Sequence, residues 1–230
     1  MAELERYARI ETVMPREFLL LQGRGCVWKK CTFCDYHTDT SGDPFSVNRP
    51  VLERVTGAFG VLDIINSGSA MELDEQTLAL IRQTADSRGI HTLWFEAHWL
   101  YHQRLAAFAA RFPGQMVKFR CGVESFDPAL REAWNKGIPP AVTPAEIAQY
   151  FSGACLLAGV QGQTRAGILK DIETARAHFE YVSVNVFVEN STGLKRDRAL
   201  AEWFADRVAP GLAGLPGIEV LLNNTDLGVG

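Results

Sequence analysis

Short apolar runs alternate with helical patterns along the whole chain. Six runs read as strands: Glu17–Leu21, Val61–Asn66, His91–Glu96, Met116–Gly122, Ala154–Ala158 and Tyr181–Val188. Most are close to continuously apolar, as strands covered on both faces are. A seventh run, Ile218–Leu222, is a candidate last strand. Between them lie helix signals. Asp74 precedes a face of Leu78, Ile81 and Ala85. Asp127-Pro128 offers a cap followed by proline at the first helical position. Thr143-Pro144-Ala145-Glu146 is a capping box. Further helices are expected over Leu4–Arg9, Arg49–Ala58, Leu100–Ala110, Gly167–Phe179 and Asp197–Val208.

This alternation predicts a parallel α/β fold, either an open sheet or a partial barrel. No low-complexity linker or shift in composition divides the chain. One domain is therefore expected, with a lead-in over 1–16, a core over 17–210 and an extension over 211–230. In both architectures the chemistry belongs at the C-terminal ends of the strands.

The 230 residues are 47% hydrophobic and 22% charged, ordinary for a chain that buries a full core. The net charge of −4 gives no general pull toward nucleic acid. No signal peptide is visible, and no apolar run approaches the ~18 residues of a membrane span. A cytoplasmic protein is expected. Its thiols stay reduced there, so clustered cysteines point to metal or catalysis and not to disulfides.

Three of the five cysteines, Cys26, Cys31 and Cys34, lie on the loop after the first strand. Three thiolates on one loop suit a soft metal centre, either an iron–sulfur cluster or zinc. With His37 they offer a Cys3His zinc set. Cys121 and Cys155 sit inside apolar segments and read as core residues. Arg16, Arg24, Lys29 and Lys30 surround the first two cysteines in sequence, as a solvated face or as charge that tunes the site. The other strand ends are also polar or glycine-rich: Asn66-Ser67-Gly68-Ser69, Glu96-Ala97-His98-Trp99, Gly122-Val123-Glu124-Ser125-Phe126, Gly159 to Thr164, and Glu189-Asn190-Ser191-Thr192.

Taken together, these motifs resemble the radical S-adenosylmethionine (SAM) superfamily over roughly Phe18 to Thr192. The resemblance implies a single-domain partial (β/α)6 TIM-like barrel. It implies a [4Fe–4S] cluster held by Cys26, Cys31 and Cys34, with SAM on the remaining iron. Reductive cleavage of SAM then gives a 5′-deoxyadenosyl radical that takes a hydrogen atom from the substrate. It also assigns SAM contacts to Phe33, Asn66, Ser67, Gly68, Ser69, Glu96, Glu124, Lys136 and Gln161. One departure stands out: Val27-Trp28-Lys29-Lys30 puts four residues between the first two cysteines, one more than the superfamily usually has. Trp28 is expected to fold this longer loop outward and pack it down.

Within the superfamily the pattern resembles the Elongator-like, archaeosine-type group, and among its short members the queuine lyases of queuosine salvage. That likeness implies a small 7-deazaguanine substrate such as queuine, cleaved at a C–N bond to release 7-aminomethyl-7-deazaguanine. It also implies an external electron donor such as flavodoxin or ferredoxin, and no nucleic-acid or membrane partner. His98, Trp99, Glu189 and Asn190 are candidate substrate contacts. The alternatives are a radical SAM enzyme acting on tRNA or a peptide, an iron–sulfur electron carrier, and a zinc-stapled binding protein.

Overall fold

The computed structural model describes residues 4–230; the first three residues of the expected lead-in lie outside the described residues. Contacts gather into two compact units. One takes the chain up to Lys29, Tyr36–Phe119 and Leu227–Gly230; the other takes Lys30–Asp35 and Arg120–Asp226.

The first unit holds β1 (Tyr7–Ile10), β2 (Arg16–Leu21), β3 (Val61–Asn66) and β4 (Thr92–Glu96). They pair in chain order, β1 antiparallel to β2 and the rest parallel. Its helices are α1 (Pro44–Glu53), α2 (Glu75–Ser87) and α3 (Leu105–Ala109), the last preceded by a 3-10 turn over Trp99–Arg104. The core runs through Leu19, Leu62, Ile64 and Leu93, all fully buried. Phe95 is packed by the rings of Phe108, Phe112 and Phe119, with centroids 5.2, 5.6 and 6.3 Å away. Burying one such ring contributes about 1.5–3 kcal/mol relative to leaving it in water.

The second unit is built on β5 (Met116–Glu124, from Arg120 onward), β6 (Gly153–Ala158), β7 (Tyr181–Val186) and β8 (Ile218–Leu221), parallel and in chain order. Its helices are α4 (Pro128–Ala133), α5 (Pro144–Ala148), α6 (Arg165–His178), α7 (Arg198–Trp203) and α8 (Ala209–Leu212). Cys121 and Cys155 are buried in this core, as their apolar surroundings predict.

Three expectations need correction. Residues 4–9 do not form a helix; Tyr7–Ile10 pairs along the edge of β2 instead. A short charged segment makes a marginal helix, and an open strand edge offers it a full ladder. Helix α1 starts at Pro44, five residues before the expected start, because Asp43 caps it through Ser46 N with proline in the first turn. Arg16 does not belong with the cysteines. It opens β2, roughly 16 Å of strand from Leu21, and its Nε donates to Asp63 at 2.8 Å with both side chains fully buried.

Beside that pair, Glu17 accepts from the hydroxyls of Tyr7 and Thr56 and from the amides of Thr56 and Gly57. Burial pushes its pKa up, but these donors outweigh burial and hold the carboxyl below its ordinary value. Among the described residues, no helix is long and apolar enough to cross a membrane.

Candidate active site

In the first unit the site begins where β2 and β3 end. Cys26 is half-buried, and its Sγ accepts from the Lys29 amide at 3.5 Å. The turn Asn66-Ser67-Gly68-Ser69 lies against this loop. Ser67 Oγ accepts from Gly23 N at 2.9 Å, and Ser69 Oγ accepts from His98 N at 3.0 Å. Gly68 must be glycine: a Cβ there would stand 3.1 Å from Cys26 Cα and would collide with Glu72 Oε2. Asn66 Nδ2 donates to Ser69 O at 3.2 Å, while its Oδ1 is buried with no partner. A buried acceptor left open in this way suits an ammonium or amide donor from a ligand.

Glu72 is the residue that sequence reasoning missed. Its Oε1 accepts from Val27 N at 2.8 Å and from the Tyr101 hydroxyl at 2.9 Å, and its Oε2 accepts from Ser69 N at 2.6 Å. Burial first, then the Glu72 carboxylate, raise the Tyr101 pKa far above its ordinary value, so the phenol stays a donor. The signal was present in the sequence. Ser69-Ala70-Met71-Glu72 has the capping-box spacing, and its Ser69 N to Glu72 carboxylate bond forms.

Glu96 closes β4, half-buried. The next two candidates are buried and stacked. Trp28 lies over the His98 ring at 5.3 Å and 22°, and Trp99 lies on His102 at 4.1 Å and 2°. His98 Nδ1 accepts from Leu100 N, which leaves the proton of a neutral ring on Nε2. Trp28 therefore packs the loop down as expected, and His98 is its platform. The far end of the loop is tied by Asp39, which takes both terminal nitrogens of Arg6 and Nε2 of Gln22. Burial opposes ionisation of Asp39, but these donors prevail and lower its pKa.

In the second unit Cys31 and Cys34 pack against a cluster of Phe33, Trp134, Val160 and Phe187. Three polar ties fix this half of the loop. Thr32 N donates to Trp134 O at 3.1 Å, Asn190 Nδ2 donates to Phe33 O at 2.7 Å, and Asp35 accepts from Ser191 N and Oγ. Asn190 is thus a loop tether, with its Oδ1 accepting from Thr192. Glu189 is half-exposed and accepts from Arg196 N.

The ladder of β5 shifts register between Gly122 and Glu124, and Glu124 adopts φ +67°. The bulge turns the Glu124 carboxylate to meet Lys136 Nζ at 2.8 Å, with both side chains 9% exposed. Nζ also stands 5.4 Å over the Phe33 ring. Burial works against the Lys136 charge, but Glu124 and the sulfurs of Cys31 and Cys121 outweigh burial and raise its pKa. Gln161 is exposed, with its backbone N donating to Lys195 O. The buried neighbour Gln163, which the sequence reading passed over, accepts from Val160 N and donates to Leu157 O.

A solved structure matches this chain along its length: queuine lyase from Clostridium spiroforme bound to SAM and queuine. The identity is 37%, the match covers 99% of this chain and 100% of that one, and the TM-score is 0.94. The chain belongs to the queuine lyase family of radical SAM enzymes. Its fold is the partial (β/α)6 barrel of that superfamily. No family model matches the chain, and no curated protein does.

The donor chemistry fits this family's cofactors. None of the three loop cysteines is tied up in a disulfide, so their sulfurs can serve as thiolate ligands. The open Asn66 Oδ1 is a buried acceptor of the kind that suits an ammonium group.

Proposed function

We propose that this chain is a queuine lyase. It breaks the C–N bond joining the aminomethyl nitrogen of queuine to the cyclopentenediol and releases 7-aminomethyl-7-deazaguanine. The full-length similarity to a queuine lyase bound to SAM and queuine carries this reading. Cys26, Cys31 and Cys34 hold a [4Fe–4S] cluster. Bound together, the cluster and SAM supply a carbon radical that abstracts hydrogen from the substrate.

The protein's own residues do the positioning. Asn66 Oδ1 takes a proton of the SAM amino group, and the Ser67-Gly68-Ser69 backbone keeps that acceptor in place. Lys136, held cationic by Glu124, gives the SAM carboxylate a favourable field. Phe33, Glu96 and Gln161 complete the proposed SAM contacts. His98, Trp99 and Glu189 are proposed on the substrate side; Asn190 acts there through the loop it tethers. The net charge of −4 favours a free base over tRNA. Free thiols suit a reducing compartment such as the cytoplasm, with flavodoxin or ferredoxin as electron donor.

Anaerobic reconstitution tests the reading. The protein should turn brown, hold iron and sulfide in equal amounts, and convert queuine to 7-aminomethyl-7-deazaguanine when reduced with SAM present. Cys26→Ala, Cys31→Ala or Cys34→Ala should abolish cluster and turnover together. Queuine left intact while SAM is slowly cleaved would overturn the substrate assignment.

A further inference from the structure

We propose that Glu72 is a positioning residue for SAM, a buried clamp that holds the Asn66–Ser69 turn against the backbone just after Cys26. The inference deepens the proposed function and rests on it. A single side chain, 6% exposed, ties three separate places. Val27 N is the peptide next to the first cluster cysteine. Ser69 N belongs to the glycine turn. The Tyr101 hydroxyl comes from the segment after β4. The Glu72 backbone adds two more ties, accepting from Arg24 N at 3.0 Å and donating to Ser69 O at 2.8 Å.

The steric evidence agrees. Gly68 lies so close to the Glu72 carboxylate and to Cys26 Cα that no side chain fits between them. Glycine turn, carboxylate and cysteine backbone are in contact as one body. Val27 shows why the clamp is needed. Its side chain is 68% exposed on a loop without regular structure, yet its amide is held. A loop lengthened by one residue has more conformations to lose, and a charge-assisted bond at its root removes many of them.

The clamp sets the spacing between Cys26 and Asn66, hence between a cluster ligand and the acceptor for the SAM amino group. Its negative charge, buried beside the first cysteine, also disfavours adding an electron to the cluster.

Glu72→Gln tests this. The amide keeps the volume and one oxygen, but its NH2 faces either Ser69 N or the Val27 and Tyr101 donors, so at least one tie is lost. The reconstituted variant should keep its iron, bind SAM about tenfold more weakly, and show a raised KM for SAM with kcat nearly unchanged. The cluster's midpoint potential should move positive. SAM affinity within twofold of wild type and an unmoved potential would overturn the proposal.

If Glu72→Gln fails to fold or to hold iron, hydrogen exchange on the wild-type holoenzyme decides. The Val27 and Ser69 amides should exchange at least tenfold slower than unstructured chain; unprotected rates at Val27 would sink the clamp. The two readings fail differently. Wild-type protein that binds neither cluster nor SAM refutes the function, whereas wild type that binds both with an indistinguishable Glu72→Gln refutes only the clamp.

Discussion

Lys136 and Glu124 are charged residues on the wall of an apolar cluster, and each is there because of the other. Their 2.8 Å contact sits beside Phe33, with both side chains 9% exposed. Removing one partner leaves an uncompensated buried charge. Lys136→Met should therefore cost about 3–5 kcal/mol, read as a lower midpoint in urea unfolding. It should also weaken SAM binding, read by equilibrium dialysis on the reconstituted protein. At this scale the sequence was informative about which residues matter and poor about what each does. Glu124 and Lys136 were both legible, but their pairing depends on a bulge that no local pattern announces. Asn190 was legible as a polar strand end, but its partner, the Phe33 carbonyl, lies 157 residues away in sequence. Glu72 had a local signature and was overlooked because the box caps only a short 3-10 turn.

The strands were the most legible elements, since apolar runs buried on both faces have few other fates. β3 occupies the expected Val61–Asn66, and β2, β4, β6 and β7 fall within two residues of expectation. Helix starts were legible where the cap was recognised, as at Asp127-Pro128. The same signature at Asp43-Pro44 was hidden by the polar loop around it, and by Pro50 inside α1. β1 was illegible because its strand state comes from pairing with β2 and not from its own residues. The β5 bulge is sensitive to a single substitution. A Cβ on Gly122 would lie 2.6 Å from Glu124 Oε1 and 2.9 Å from Lys136 Nζ. Gly122→Ala should therefore force the ion pair apart and cost about 1–3 kcal/mol. The same urea midpoint measures it, and combining it with Lys136→Met should cost less than the sum of the two.

For the molecule as a whole, acid is the condition that loosens the fold. Glu17 and Asp39 both have folded pKa values below their unfolded ones. Each contributes stability that is fully present above the unfolded carboxylate range, about 3.9–4.3, and is lost as pH falls through that range toward the folded value. Thermal midpoints should be flat near neutrality and drop below about pH 4. Glu17→Gln should lower the neutral value and flatten that acid limb; an unchanged limb would show that other carboxylates carry it. The fold class was legible in the sequence because it follows from order and periodicity alone. The division into two units was not, because it depends on which long-range contacts are dense.

The cysteine loop has one further consequence. Its root is held by Glu72, Trp28 rests on His98, and Cys31–Asp35 is tied at Thr32, Phe33 and Asp35. Between these fastenings sits Lys29, exposed and at φ +49°. Drift in loop length during divergence, or a residue inserted by an engineer, has a joint here at which to be absorbed. A glycine added beside Lys29 should leave a folded, cluster-bearing protein, whereas one added between Cys31 and Cys34 should not.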